Sequence, residues 1–444
     1  MGFDYATVGM LGVLLLLVLV LIGCHLAVSF LIVGAGGLAL LIGPQAAISV
    51  TGETLYNFVA IPTFSVLPMF MLMGAFAARG GFAKTAFEGV YRMAARIPAS
   101  LAIATAFGCA VFGAICGSTM ATAAVFGKLA YPAMRKYNYD RRFALGSIAS
   151  AGTFACMIPP SGMFIIFAMF TGLSVVELFF SGIIPGILTA CVYAISMYLR
   201  ARFNPTIAPI NPEEYTVTVP QRIRAGISLW PILVLAGVVL GGLYTGIFTA
   251  TEAGAVGALG AMIFGLVKGD LRQKGAIRRS LQESAQSTSM IVIIVVTAMV
   301  FSRFLAITQI PTNIAEFLLS WDVHRNIILL AILGLWFVMG MFMAQTAIFA
   351  LTLPILFPVI IKLGFNPVWF CIIAMKLNEI AAVSPPVGMN VFGLVGAVRD
   401  IERVTIEDAY WGCFPFILCD LVVVTLLFLV PDLTTWLPNL MLGR

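Results

Sequence analysis

Two short polar stretches interrupt long apolar runs in this chain, and both carry oxygen-bearing side chains that suit a hard cation. The first is Gly113-Ala-Ile-Cys-Gly-Ser-Thr-Met-Ala-Thr122, between two apolar arms of roughly 16 residues each. Gly117 permits a sharp turn, and freed carbonyls together with the Ser118 and Thr119 hydroxyls are the ligands a hard cation takes. Apolar arms around a polar tip are what a hairpin needs to enter a membrane and turn back. Broken backbone at that depth survives only inside protein or beside a water-filled cavity. The competing explanation is a close helix–helix contact built from small residues. The second stretch is Met343-Ala-Gln-Thr-Ala347, where Gln345 and Thr346 could play the same part. It has no glycine and only one hydroxyl.

Each tip precedes a doubled proline. Pro132 lies 27 residues before Pro159-Pro160, with Gly162 following, and Pro358 lies 27 residues before Pro385-Pro386, with Gly388 following. Lys136 and Lys362, Tyr139 and Phe365, and Asp140 and Asn366 fall at matching offsets. Proline has no amide hydrogen and biases its predecessor away from helix. Two in a row predict unwound backbone with free carbonyls near 152–158 and 378–384. Gly152, Thr153, Ile158 and Ser161 stand beside the first break, and Ser384 and Gly388 beside the second. Freed carbonyls are natural Na⁺ ligands, although a plain kink is the simpler alternative.

Charged candidates are few. Glu379, Glu252 and Asp420 lie in apolar surroundings, where an ionisable residue marks function by default. Glu379 suits ion or proton coupling, or a structural hydrogen bond to the unwound backbone. Arg303 is the only cation between 284 and 315. It could meet a carboxylate substrate or snorkel from a helix end. The eight cysteines read as buried small hydrophobes, and the two histidines lack ligand spacing. A Walker A sequence is absent, so ATP is not the energy source within this chain.

The elements that must position these residues are membrane helices. Of 444 residues, 61% are hydrophobic and 10% charged, against roughly 25% charged in average soluble domains. The fold class is therefore all-α, a polytopic membrane protein. No lysine or arginine precedes Arg79, so no cleavable signal peptide is expected. The net charge of +6 needs no nucleic acid, since cationic cytoplasmic loops give the same balance. Apolar segments fall near 6–22, 24–43, 57–78, 99–116, 120–134, 143–158, 161–171 and 178–200. A second set falls near 226–247, 250–267, 287–308, 326–342, 346–361, 367–383, 387–398 and 409–430. The polar stretch between them divides the chain into a half at 1–200, a cytoplasmic linker at 201–225 and a half at 226–444. Lys128, Arg135, Lys136, Arg141 and Arg142 precede the first proline pair, and no basic residue lies in 172–178. In the second half the loop before the pair has only Lys362, and the loop after it has Arg399 and Arg403. Positive loops face the cytoplasm, so equivalent loops fall on opposite sides, as an inverted repeat requires. Broken helices at matching places in two such halves point to a secondary transporter with its site at the breaks.

The stretch from Gly113 to Gly186 resembles the large membrane subunit of tripartite ATP-independent periplasmic (TRAP) transporters. It does so through Gly117-Ser-Thr-Met-Ala-Thr-Ala-Ala124, Pro132-Ala-Met134, Tyr139-Asp140, Ile158-Pro-Pro160 with Ser161, Leu178-Phe-Phe, and Gly182 to Pro185. The second half resembles it through Gly340-Met-Phe342, Thr346-Ala347, Pro354, Pro358, Asn378-Glu-Ile380 and Ser384-Pro-Pro-Val-Gly-Met-Asn390. Leu67-Pro-Met-Phe70 and Gly74 add an earlier match. The chain departs from the family at the second tip, where Ala344-Gln-Thr346 stands in place of an Asp-Pro-Thr-type sequence. The resemblance implies Na⁺-driven uptake of organic acids across the bacterial inner membrane, with no enzymatic activity. It implies an elevator-type fold with two re-entrant hairpins. It also implies two partners, a small four-helix membrane subunit and a periplasmic substrate-binding protein. On this reading one Na⁺ sits among Gly117, Ser118 and the first break, and a second among Thr346 and the second break. Substrate lies between the tips near Ser118, Thr119, Ser161, Gln345 and Thr346, with Arg303 as a further candidate. The alternative is a stand-alone exchanger with a related broken-helix fold, coupled to protons or Na⁺.

Overall fold

Continuous apolar sequence cut by glycine and proline yields helices of very unequal length. The computed structural model describes residues 4–209, 217–267, 269–320 and 323–442. The regular elements among them are helical. The chain opens with α1 (Tyr5–Leu21), α2 (Leu26–Ile42), α3 (Pro44–Ala60), α4 (Val66–Arg79) and α5 (Phe82–Met93). Then come α6 (Ser100–Cys116), α7 (Thr119–Lys136), α8 (Arg141–Ala151), the single turn α9 (Phe154–Met157), α10 (Gly162–Thr171) and α11 (Val175–Phe203). The second set is α12 (Val219–Ser228), α13 (Trp230–Tyr244), α14 (Ala250–Val267), α15 (Ala276–Thr308), α16 (Ile310–Leu319) and α17 (Arg325–Phe342). It ends with α18 (Gln345–Lys362), α19 (Pro367–Val383), α20 (Met389–Val398), α21 (Ile406–Leu429) and α22 (Asp432–Leu442). Six helices among the described residues are long and apolar enough to cross a membrane, or nine if each bent pair counts as one span. The chain is a multi-pass membrane protein.

The two tips are helix hairpins. α6 ends at Gly117, which takes a left-handed φ of 65°, and α7 starts at once behind Ser118, whose Oγ accepts from the Ala121 amide at 3.4 Å. Glycine adopts that conformation without a Cβ penalty. α17 and α18 turn at Met343 and Ala344 in extended backbone, with no side-chain cap on α18.

The breaks differ from expectation. In the first half the helix stops at Ala151, resumes for one turn as α9 and is extended at Ile158 and Ser161, on either side of the proline pair. In the second half α19 runs unbroken to Val383, so most backbone at 378–384 stays helical. The residues explain the difference. Gly152 has poor helix propensity, and a Cβ there would lie 2.7 Å from that of Ala123 on α7. Its counterpart is Asn378, whose Nδ2 donates to the Ala374 carbonyl at 3.0 Å within the helix. After the second proline pair, the Pro386 and Val387 carbonyls both lie 2.8 Å from the Tyr410 hydroxyl. Those two freed carbonyls are therefore already engaged.

The halves run in opposite senses. α7 leaves the first tip and α20 leaves the second break side by side, with Gly127 against Leu394 and Val398. Their far ends are tied by ion pairs. Glu402 meets Arg135 at 2.8 Å and Arg141 at 3.0 Å, and Asp408 meets Arg142 at 3.1 Å. The loop before the first proline pair thus adjoins the loop after the second. At the other end α10 packs on α18 through Phe167 against Phe349 and Phe357.

Several boundaries move. The apolar segment at 57–78 is split between the end of α3 and α4, and α15 starts eleven residues before the expected 287. The linker at 201–225 is partly helical, because α11 continues to Phe203 and α12 starts at Val219. Its residues 210–216 lie outside the described residues. The Arg222 guanidinium donates to the Ala95 carbonyl at 2.7 Å, which docks α12 beside α5.

Candidate functional site

Both hairpin tips line one cavity of about 290 Å³. Gly117, Ser118 and Thr119 come from the first tip, and Ala344, Gln345 and Thr346 from the second. Ser287 and Ile291 of α15 face them. No hydrogen bond to a described residue engages the Thr119 or Thr346 hydroxyl.

Helix ends define the electrostatics. α7, α10, α18 and α20 all start at this cavity, where Thr119, Met163, Gln345 and Met389 line it. A helix start carries about half a positive charge and unpaired amide hydrogens. α6, α9, α17 and α19 end there, with Gly117, Cys156, Met343 and Ala382 in the wall. Their last carbonyls carry the opposite sign and favour a cation. No lysine, arginine or histidine is among the lining residues. The arrangement can hold an anion on amides and cations on carbonyls without a basic side chain.

The first break meets the first tip. A Cβ on Gly113 would lie 2.9 Å from the Ala155 backbone, and one on Gly117 would lie 3.3 Å from the Gly162 amide. The Thr153 hydroxyl donates to the Ser150 carbonyl at 2.7 Å, and Ser161 is buried with its Oγ accepting from the Met163 amide at 3.3 Å. Ile158 packs against Gly186 of α11. The second break meets the second tip through the Gly388 amide, which donates to the Met341 carbonyl at 3.4 Å. The Ser384 hydroxyl donates back to the Ile380 carbonyl at 2.7 Å. Ser161 caps α10 and is not part of the cavity wall.

Arg303 is not brought to this site. It is exposed, twelve residues beyond Ile291 on α15, about 18 Å along the helix at 1.5 Å per residue. It lines a separate surface recess with Glu53, Thr54 and Asn57 of α3. Glu252 is exposed as well, and its carboxylate accepts from the Thr249 amide at the start of α14.

The sequence reading missed four side chains. Lys376 is fully buried, donates to Glu379 Oε2 at 2.6 Å and lies 2.7 Å from Asp420 Oδ1. Tyr193 donates to Asp420 Oδ2 at 2.7 Å. A lysine three residues before a glutamate inside an apolar helix was the available signal. Cys156, taken for a small hydrophobe, donates its thiol to Gln345 Oε1 at 2.9 Å, and Gln345 Nε2 donates to Met375 Sδ. Tyr410 gave no signal at all. Cys191, also read as buried, is exposed on α11.

Residues 13–433 match the family described as "Tripartite ATP-independent periplasmic transporter, DctM component". The chain belongs to the DctM family. It is 32% identical to the C4-dicarboxylate TRAP transporter large permease protein DctM of Pseudomonas aeruginosa, over 86% of each chain. It is 30% identical to the ectoine TRAP transporter large permease protein TeaC of Halomonas elongata, over 78% of each. The fold resembles the YdaH transporter of Alcanivorax borkumensis, with a TM-score of 0.66 and 15% identity over 89% of each chain. It also resembles MtrF of Neisseria gonorrhoeae, with a TM-score of 0.64 and 14% identity over 94% of each. At those identities only the fold is shared. As a DctM-family permease, the chain is a transporter subunit for substrate uptake.

Proposed function

We propose that this permease imports a small organic anion driven by Na⁺. The supporting observation is the single cavity at which four helix starts and four helix ends meet, between two hairpin tips and without a basic side chain. An anion alone is costly in low dielectric, and co-bound Na⁺ offsets its charge. The residues present fit such ions. One Na⁺ would sit among Gly117, Ser118, Gly152, Thr153 and Ile158, and the second among Thr346, Ser384 and Gly388; of these, Gly117, Ser118 and Thr346 line the cavity and the others lie behind its wall. Substrate carboxylate oxygens would meet the amides at the starts of α7 and α18, beside Ser118, Thr119, Gln345 and Thr346. The α6–α7 and α17–α18 hairpins would travel together across the bacterial inner membrane against α15, an elevator motion that gives alternating access. A periplasmic binding protein would deliver the substrate, and a small four-helix subunit would complete the membrane part. Relatives carry names as different as C4-dicarboxylate and ectoine, so the anion's identity rests with experiment.

The test is uptake into proteoliposomes holding both membrane subunits, with the binding protein outside. Succinate, isethionate and ectoine serve as labelled probes, and Na⁺ is replaced by K⁺ in parallel. Uptake of an acid that collapses in K⁺ is expected. Uptake that persists in K⁺, or that proceeds without the binding protein, would overturn the reading.

A further inference from the structure

The cluster behind the cavity wall has an odd charge count. Lys376 and Glu379 on α19 and Asp420 on α21 have fully buried side chains. Fully ionised, the three carry a net charge of minus one. A single uncompensated charge in an apolar interior is costly, and a bound proton removes the cost.

The partners decide which carboxylate takes that proton. Both Asp420 oxygens are answered, Oδ2 by the Tyr193 hydroxyl at 2.7 Å and Oδ1 by the Lys376 ammonium at 2.7 Å. That ion pair is short but poorly directed, so charge rather than a hydrogen bond holds it. Glu379 is answered only at Oε2, by Lys376. Its Oε1 is buried with no partner among the described residues, and Glu379 belongs to the cavity wall.

Other helices against α19 supply no competing charge. α9 brings the Cys156 thiol, α11 brings Tyr193, and α21 brings Asp420 and the Cys419 thiol. Charged residues elsewhere on these helices are engaged or exposed at their ends, apart from Glu177, half-buried in the first turn of α11. Arg325 sits over Phe365, Arg200 over Phe143, Lys362 meets Glu316, and Arg141 and Arg142 meet Glu402 and Asp408. Asp432 of α22 is exposed. α20 contains no titratable residue. The cluster has no counterpart in the first half. The offset relating Pro159 to Pro385 puts Ser150 where Lys376 stands and Thr153 where Glu379 stands.

We infer that Glu379 is a proton-binding site, held neutral by the Lys376–Asp420–Tyr193 frame and discharged when a cation occupies the adjoining cavity. The proton leaves Oε1 for cavity water as the cation arrives, and it returns when the cation departs. The proton site rests on the buried cluster alone, and its discharge rests on the Na⁺ reading above.

Infrared spectroscopy of the purified full chain in detergent at neutral pH tests both. A carboxylic-acid carbonyl stretch that shifts in D₂O is expected in the native protein. It should vanish in Glu379→Gln. It should also vanish in Asp420→Asn, because Lys376 then matches a single ionised carboxylate. It should grow in Lys376→Met, which leaves two unmatched carboxylates. A purely structural cluster would not follow this charge count. Absence of the band in the native protein, or its survival in Glu379→Gln, would overturn the proton site. NaCl should shrink the band relative to choline chloride. If Na⁺ raises thermal stability yet leaves the band intact, discharge is refuted. If Na⁺ does not bind at all, the Na⁺ reading fails with it, and the proton site stands on the band.

Discussion

The Cys156 thiol lies 2.9 Å from Gln345 Oε1, so the short turn at the first break touches the tip of the second hairpin. This contact joins the two halves across the cavity. It also fixes the Gln345 carboxamide, whose nitrogen points at Met375 Sδ. Gln345→Ala removes both contacts without disturbing a helix interior, because position 345 opens α18. Gln345 also stands beside the proposed substrate, and one hydrogen bond lost to it is worth about 1 kcal/mol. A rise in the substrate KM of about fivefold is therefore expected, with the protein's thermal stability little changed. Uptake kinetics in proteoliposomes measure it, and an unchanged KM would separate the second tip from substrate.

Ser118 and Thr346 stand at the two tips on the proposed cation sites. Ser118→Ala and Thr346→Ala should each raise the Na⁺ concentration for half-maximal uptake. One hydroxyl ligand lost at about 1 kcal/mol corresponds to a shift of about fivefold. Thr245→Ala, at the end of α13 and outside the cavity, serves as control. If both tip variants keep the native Na⁺ dependence, the hydroxyls are not ligands.

Much of this arrangement was legible because it is punctuated locally. Pro159-Pro160 and Pro385-Pro386 mark the ends of α9 and α19 by covalent structure, and Gly117 marks a turn by its lack of Cβ. The apolar runs on either side set the hairpin arms. Lys376 and Asp420 were not legible as partners, because they lie on different helices and only packing brings them together. The helices α5, α12, α16 and α22 were missed for another reason. They are short, and α5 and α12 mix polar with apolar residues, so no continuous apolar run announces them. Arg303 misled because a lone cation in an apolar run looks the same whether it faces a cavity or an exposed groove.

Glu402 joins the loops of the two halves. Partial burial raises its proton affinity, but hydrogen bonds from Arg135 and Tyr131 and the charges of Arg135 and Arg141 outweigh that and hold it below the ordinary carboxylate range. A carboxylate lowered in the folded state contributes stability above its unfolded pKa of about 4.3, and the contribution is lost as pH falls through the folded value. Thermal stability of the native protein should therefore exceed that of Glu402→Gln at neutral pH, with the gap closing below about pH 4. Melting in detergent across that range checks it. A gap that stays constant down to low pH would assign the effect to packing.

α8 and α21 cross with their backbones in contact. A Cβ on Gly146 would collide with the Gly412 carbonyl, and a Cβ on Gly412 would collide with the Arg142 carbonyl and lie 2.9 Å from the Gly146 amide nitrogen. The crossing lies beside the Arg142–Asp408 ion pair, so it sets the spacing between α8, which leads into the first break, and α21, whose Tyr410 holds the Pro386 and Val387 carbonyls at the second. Backbone atoms cannot turn aside as a flexible side chain can. Gly412→Ala must push the helices apart, and overpacking of this kind costs about 1–3 kcal/mol. The expected result is a clear loss of thermal stability and, because the breaks separate, a loss of uptake larger than the loss of folded protein. Gly237→Ala, on α13 with open space around it, should change neither. Native stability in Gly412→Ala would mean that the two helices do not approach so closely.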